Sequence, residues 1–156
     1  MLGRIPAIAL ALFAAAPALA QQVTAQDPQS VARALTAAGY KAELMKDSEG
    51  DPMIMSASSG TRFAVFFYNC SNNAKCATIQ FHAAFNTDPG KAPSLEQINA
   101  WNRTQRFGSA YLDGEGDPAI DMDIDLDDGG MSQALFHDNL EFWISVLADY
   151  EKAIGW

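Results

Sequence analysis

The chain has 156 residues, 49% of them hydrophobic, with 10 lysines and arginines against 19 aspartates and glutamates, a formal net charge of −9 at pH 7. This length suits a single domain preceded by a leader. The acidic excess excludes a nucleic-acid-binding role, because a phosphate backbone requires a basic surface, and it disfavours docking on anionic lipid.

The first 20 residues have the pattern of a secretory signal peptide. Arg4 supplies a positive charge, an apolar run covers residues 5–16, and residues 17–20 read Pro-Ala-Leu-Ala. Small residues two apart are typical of a cleavage site, and the run is shorter than the ~20 residues that a membrane-spanning helix needs. We therefore expect cleavage after Ala20, a mature chain that begins at Gln21 and does not insert into a membrane, and a periplasmic or secreted location.

The first part of the mature chain predicts one helix and four strands. Residues 21–26 have no apolar periodicity, and we expect a flexible lead there. Asp27 followed by Pro28 is typical of a helix start, and Gly39 is a natural helix end. The expected strands are residues 40–45, 53–57, 61–69 and 77–85, with a turn over residues 47–52 between the first two.

The only two cysteines, Cys70 and Cys76, lie at facing ends of the third and fourth strands. An even number of cysteines in an exported chain favours a disulfide. Zinc normally takes four ligands, and a redox-active pair usually has two intervening residues, so these alternatives are weaker. If the cysteines face each other, Val65 pairs with Phe81 on an apolar face that must belong to the core.

The opposite face of this hairpin combines two large aromatic residues with small alanines and polar side chains. Two interpretations stay open: one helix covers this face, or the face forms a groove for an apolar ligand or a partner segment. A histidine lies on it, but the chain has no Gly-x-Ser-x-Gly nucleophile motif, and we expect no catalytic residue. The candidate binding residues on this face are Arg62, Phe66, Tyr68, Gln80 and His82.

The second part of the chain predicts a helix, two strands and a long closing helix. Ser94 with Gln97 forms a capping box, and we expect that helix to end near residues 107–108. Strands are expected at 111–112 and 119–126. The last helix begins around Ser132 and has an apolar stripe that would pack on the sheet or serve as the seam of a homodimer.

This order of elements, α-ββββ-α-ββ-α, predicts one α+β domain over residues 27–156. Its antiparallel sheet would have about five to six strands packed with three helices. We find no internal repeat in the sequence.

Residues 121–127 alternate aspartates with apolar residues. The Asp-x-Asp-x-Asp spacing suggests a calcium loop, but starting an EF-hand at Asp123 or Asp125 places no glutamate at the twelfth position. Strict alternation is typical of a half-buried strand with a solvated acidic face. A cation-sensing module on this strand is kept as the alternative function, with Asp121, Asp123 and Asp125 as weak metal-ligand candidates.

Several motifs resemble the YbjN-domain family of bacterial proteins. The most distinctive one runs from Trp101-Asn102 through Arg106-Phe107 to Ala110-Tyr111-Leu112. The resemblance extends over about residues 27–156. Further matching segments are the strand at 65–68, the Asp-x-Asp strand, Gly129-Gly130 with Ser132, and Leu140-Glu141 with Trp143.

The resemblance implies an α+β fold similar to class I type III secretion chaperones, which bind extended segments of other proteins and often dimerise. It also implies a regulatory role, and it carries over no catalytic residue and no cofactor. Asn102 and Arg106 share a helix face and are further candidate binding residues. Arg106 would pair with Asp113 or with the acidic strand, or else bind a partner's carboxylate. We therefore predict a non-enzymatic, exported binding or regulatory protein, acting on an envelope protein or a small ligand.

Overall fold

The computed structural model describes residues 22–156. The predicted signal peptide and its cleavage site lie outside the described residues, and both stay predictions. Among the described helices, none combines the length and the hydropathy that crossing a membrane requires.

Residues 22–156 form three helices and six strands in the predicted order, which confirms the α+β arrangement. The helices are α1 (Pro28–Ala37), α2 (Leu95–Thr104) and α3 (Gln133–Ile154). The strands are β1 (Glu43–Lys46), β2 (Pro52–Ser58), β3 (Thr61–Tyr68), β4 (Thr78–Ala84), β5 (Ser109–Leu112) and β6 (Pro118–Asp125).

The six strands form one antiparallel sheet in the order β1-β2-β3-β4-β6-β5. The central hairpin has the predicted register, with Val65 opposite Phe81 and Phe66 opposite Gln80. Because strand side chains alternate between faces, this register places every large apolar residue of the hairpin's core set on the same side.

The core lies between that side of the sheet and the helices. The ring of Trp143 on α3 stacks on Phe81 at a centroid distance of 5.5 Å and meets the edge of Phe63 at 5.8 Å. Trp101 on α2 packs against Tyr150 of α3 at 5.0 Å. Each large side chain buried in this way contributes about 2 kcal/mol, so the core fixes α3 on the sheet.

The helices begin as predicted, and one of them ends earlier than expected. Ser94 caps α2 in a capping box, in which its backbone N–H donates to the Gln97 side chain at 2.8 Å. The helix stops at Thr104 instead of residues 107–108, because the next residue is extended. Phe107 instead stacks on Phe142 of α3 at 4.4 Å.

The N-terminal segment is not a flexible lead within residues 22–26. Val23 and Ala25 are buried, at 1% and 0% exposed. Val23 forms an antiparallel bridge with Met131, with two backbone hydrogen bonds of 2.8 and 2.9 Å. The Ser30 hydroxyl also donates to the Thr24 carbonyl at 3.0 Å. The segment is ordered because it pairs with a distant part of the chain, which no local pattern reveals.

Cys70 and Cys76 form the predicted disulfide. The loop that it closes contacts the β1–β2 turn through Asn73, whose amide donates to the Asp51 carboxylate at 2.8 Å and to the Glu49 carbonyl at 3.1 Å. The disulfide therefore closes one loop, and Asn73 ties that loop to the β1–β2 turn at one end of the sheet.

A short internal repeat, missed in the sequence, builds both edge hairpins. Residues 47–52 and 113–118 each read Asp-x-Glu-Gly-Asp-Pro. In each turn the first aspartate accepts from two backbone N–H groups, at 2.9 Å in all four cases. Such Asx turns reverse the chain through local hydrogen bonds alone. The same six-residue turn therefore connects β1 to β2 and β5 to β6.

Candidate functional site

The sheet has one face that no described helix covers, and we call it the open face. Its side chains do not belong to the buried core cluster formed by the helices and the opposite face. Tyr68, Met45 and Tyr111 on this face are 43%, 42% and 37% exposed. The interpretation that a helix covers this face is therefore wrong for residues 22–156. The members used below are Met45, Met53, Met55, Arg62, Phe66, Tyr68, Gln80, His82, Tyr111, Asp121, Asp123 and Asp125.

Three methionines form the apolar end of the open face. Met45, Met53 and Met55 line a groove of about 940 Å³ together with Arg62. Tyr40 and Lys41, from the segment between α1 and β1, also line it. Met45 pairs with Met53 across β1 and β2, and Met53 pairs with Phe66 on β3. Methionine is unbranched and polarizable, so such a surface adapts to apolar groups of different shapes.

An aromatic cluster lies next to the methionines. The Phe66 ring lies 6.4 Å from the Tyr68 ring and 5.5 Å from the His82 ring. Aromatic rings at these separations attract one another and hold their orientation. The predicted candidates Phe66, Tyr68 and His82 are thus brought together in one contiguous surface.

A hydrogen-bonded chain links this cluster to the acidic strand. The Tyr68 hydroxyl donates to Gln80 Oε1 at 3.3 Å, and Gln80 Nε2 donates to Asp123 Oδ1 at 2.9 Å. The strand register explains the contact, because Gln80 on β4 lies directly opposite Asp123 on β6. Gln80 therefore connects the aromatic surface with a carboxylate.

His82 and Asp121 form the shortest side-chain contact of the face. The two atoms His82 Nδ1 and Asp121 Oδ1 are 2.6 Å apart, and the side chains are 25% and 17% exposed. A carboxylate only accepts hydrogen bonds, so Nδ1 carries the proton that is donated to it. The pair fixes the ring and leaves Nε2 as the free nitrogen of the imidazole. A nucleophilic triad would also need a hydroxyl or a thiol that is hydrogen-bonded to this ring. Both cysteines are in the disulfide, and within residues 22–156 no serine or threonine hydroxyl is hydrogen-bonded to His82.

Two tyrosines face the same carboxylates and stay protonated. Burial is the largest cause that raises the pKa of Tyr111, followed by the negative charge of Asp121. Burial also raises the pKa of Tyr68, followed by the charges of Asp121 and Asp123. Both hydroxyls therefore remain neutral hydrogen-bond donors on the open face.

Asn102 and Arg106 lie away from the open face, at the end of α2. The Asn102 amide donates to the Ala110 carbonyl at 3.0 Å and accepts from the Ala110 N–H at 2.9 Å, which ties α2 to β5. Arg106 forms no ion pair with Asp113 or with the acidic strand within residues 22–156, so that predicted pairing is wrong. Its guanidinium lies over the Phe107 ring instead, 5.6 Å from the centroid.

The chain matches a protein-family model, YbjN, described as "Putative bacterial sensory transduction regulator", over residues 27–156. It belongs to the YbjN family. The match confirms the resemblance predicted from the tryptophan–asparagine motif and extends from α1 to α3. Neither the curated proteins nor the solved structures contain a match to this chain.

The acidic strand of this YbjN protein does not gather its carboxylates into a cluster. Same-face residues of a strand are about 6.6 Å apart, so successive aspartates diverge. In the described part of the chain, one group of three brings its potential ligand atoms within 4.8 Å of one another, and it consists of the exposed residues His137, Asp138 and Glu141 on α3. The alternation of residues 121–125 is that of a half-buried strand, as predicted.

Four residues of the open face were not identified from the sequence of this YbjN protein. Met53 and Met55 alternate with the buried residues Ile54 and Ser56 along β2, and this period could have placed them on the face of Phe66. All four residues of β1 are exposed, so the place of Met45 depends on its pairing with Met53. Tyr111 lies on the four-residue strand β5, which is too short for alternation to be informative. Its position next to Asp121 depends on the pairing of β5 with β6.

Proposed function

We propose that this YbjN protein is an exported, non-enzymatic regulatory protein that holds a segment of a partner protein on its open face. The observation that carries the proposal is an antiparallel sheet with one face packed by helices and the other left with methionines and aromatic side chains. An antiparallel sheet normally presents polar residues on its solvated face. Large apolar groups kept exposed there indicate an interaction site.

Binding fits the polar groups of the face better than catalysis. His82 is held by Asp121, and the nearby tyrosine hydroxyls are neutral donors. The two hydroxyl protons are used within the face, on Gln80 and Asp121, so what these groups offer a ligand is mainly their remaining acceptors, the tyrosine oxygens. Ser109 lies opposite Asp121 in the sheet, but within residues 22–156 the one side-chain hydrogen bond of His82 goes to Asp121 and none joins its ring to a hydroxyl, which favours recognition over acyl transfer.

Two features support export. Residues 1–20 have the composition of a signal peptide, and the Cys70–Cys76 disulfide is a bond that persists in oxidising compartments. The test is the intact mass of the protein from a periplasmic fraction. A mature chain that begins at Gln21 with two fewer hydrogens supports export, and an uncleaved, reduced chain in the cytoplasm contradicts it.

The main experiment is proximity crosslinking in the native cells followed by mass spectrometry. The variant Phe66→Ala with Tyr68→Ala should lose an envelope protein that the wild type captures. Its free energy of unfolding should fall by only about 1–2 kcal/mol, because Tyr68 is 43% exposed, Phe66 is partly buried, and neither ring belongs to the core cluster. Leu95→Ala with Leu135→Ala is the matched control, since it removes two exposed apolar side chains from the helices.

Two outcomes would contradict this assignment of the site. Capture that persists in the Phe66/Tyr68 variant would place the partner elsewhere on the protein. A loss of several kcal/mol in the same variant would show that these rings are part of the core.

A small apolar ligand is the second candidate, and the methionine groove favours it. A volume of about 940 Å³ lies within the usual range of small-molecule sites. If crosslinking detects only a second copy of the chain, Met53→Lys should abolish stabilisation by a metabolite found in a thermal-shift screen.

A further inference from the structure

One row of side chains crosses the open face from the apolar end to the acidic end. Met45 pairs with Met53, Met53 with Phe66, Phe66 with Gln80, and Gln80 with Asp123. Five strands at about 4.8 Å spacing make this row about 19 Å long, which equals the length of about six residues of extended chain. The polarity of the surface therefore changes steadily along a path that one short segment could follow.

The acidic end of this row is not neutralised by the protein. Within the region from residue 22 to residue 156, the only lysine or arginine paired with a carboxylate is Arg33, with Asp27 on α1. Asp123 accepts from a neutral amide, and Asp125 accepts from the Asp127 backbone N–H. Both residues are exposed, so each carboxylate keeps its charge available to a ligand.

The pKa of Tyr68 responds to carboxylates on two parts of the chain. After burial and the two aspartates of β6, the carboxylates of Asp47 and Glu49 in the β1–β2 turn also raise its pKa. The aromatic pair Phe66–Tyr68 thus lies between acidic groups on two sides. Aromatic ring faces attract cations, and surrounding carboxylates add to that attraction.

We propose that the segment held on the open face is extended and amphipathic, with apolar side chains on the methionines and a lysine or arginine over Phe66 and Tyr68 toward Asp123. This proposal rests on the proposed function. It identifies the partner segment by its charge, because a cationic side chain complements the acidic end of the open face. The same acidic row repels anionic segments, so the face would select among partners as well as bind them.

The test uses three fluorescein-labelled, end-capped decapeptides and fluorescence polarisation with the mature protein at low salt. One half of each peptide alternates leucine and valine, and the other half contains three lysines, three glutamines or three glutamates. We expect the lysine peptide to bind about tenfold more tightly than the glutamine peptide, and the glutamate peptide to bind more weakly than either.

Asp123→Asn with Asp125→Asn should weaken binding of the lysine peptide about tenfold. Asp138→Asn with Glu141→Gln is the matched control, because it removes two exposed charges from α3 on the other side of the sheet. This control should change the affinity by less than about twofold. An equal loss in both variants would mean that the peptide responds to net charge alone, and the proposal would fail.

The remaining outcomes distinguish a failure of the cationic-segment proposal from a failure of the proposed function. If the glutamine peptide binds as tightly as the lysine peptide and the Phe66/Tyr68 variant still abolishes binding, the open face is a binding site without charge selection. If the lysine peptide does not bind, the proposed cationic segment is refuted. Whether the open face binds a partner at all is then decided by the crosslinking experiment.

Discussion

Replacing Gly130 with alanine should detach the N-terminal segment from the rest of the domain. Gly130 has a φ of +77°, and a Cβ built on it would overlap the Val23 carbonyl oxygen. That oxygen accepts one of the two hydrogen bonds that pair Val23 with Met131. The added methyl group and the bridge therefore cannot occupy the same space.

The magnitude follows from two separate contributions. A left-handed backbone costs a residue with a Cβ about 1–2 kcal/mol, and each of the two lost hydrogen bonds contributes about 1 kcal/mol. We expect Gly130→Ala to lower the free energy of unfolding by at least about 3–4 kcal/mol, because exposure of the buried Val23 side chain adds to these two contributions. Gly90 has almost the same φ, +78°, with nothing within 4 Å of its virtual Cβ. Gly90→Ala should therefore show the backbone contribution alone, about 1–2 kcal/mol.

Urea unfolding of the wild type and both variants at 25 °C measures the difference. In thermal melts, each kcal/mol corresponds to about 3–5 °C for a domain of this size, so Gly130→Ala should melt at least about 5 °C below Gly90→Ala. Equal losses in the two variants would refute the reasoning, because they would show that Val23 does not lie against Gly130.

Three further substitutions test other contacts. Asn102→Ala should lower the free energy of unfolding by about 2 kcal/mol in urea, because it leaves the Ala110 N–H and carbonyl without their partner. Tyr150→Phe should be at least as stable as the wild type, since its buried hydroxyl has no partner in residues 22–156. Burial raises the pKa of Tyr150 from 10.0 to about 12, so alkaline melts should show the wild type losing more stability than Tyr150→Phe as the pH rises from 10 to 12. Thr87→Val removes one of the two hydrogen bonds that lower the pKa of Asp117, so acid titration below pH 3.8 should destabilise this variant less than the wild type.

Local signals account for the parts of the fold that were predicted correctly. The capping box at Ser94 and the alternation of β3 and β4 involve residues close in sequence, and the cysteines fix the register of that hairpin. Side-chain period and helix capping act over a few residues, so they can be read without the tertiary structure.

The errors have a different origin. Residues 22–26 carry no periodicity, yet Val23 is buried because Met131, more than a hundred residues away, supplies its backbone partner. Arg106 was expected to pair with a carboxylate, but the early end of α2 places it over Phe107. Both outcomes depend on which distant elements meet, and no sequence pattern near these residues encodes that.

The candidate site divides in the same way. By itself, the sequence determined that Phe66, Tyr68, Gln80 and His82 share one face of a hairpin, because strand side chains alternate with a strict period of two. Only the tertiary structure decided that all three helices pack on the opposite face. The same packing order brought the methionines of β1 and β2 and the tyrosine of β5 to this surface. Strand order and helix placement depend on long-range burial of the whole core, so whether a face stays open is a property of the assembled sheet and not of any strand in it.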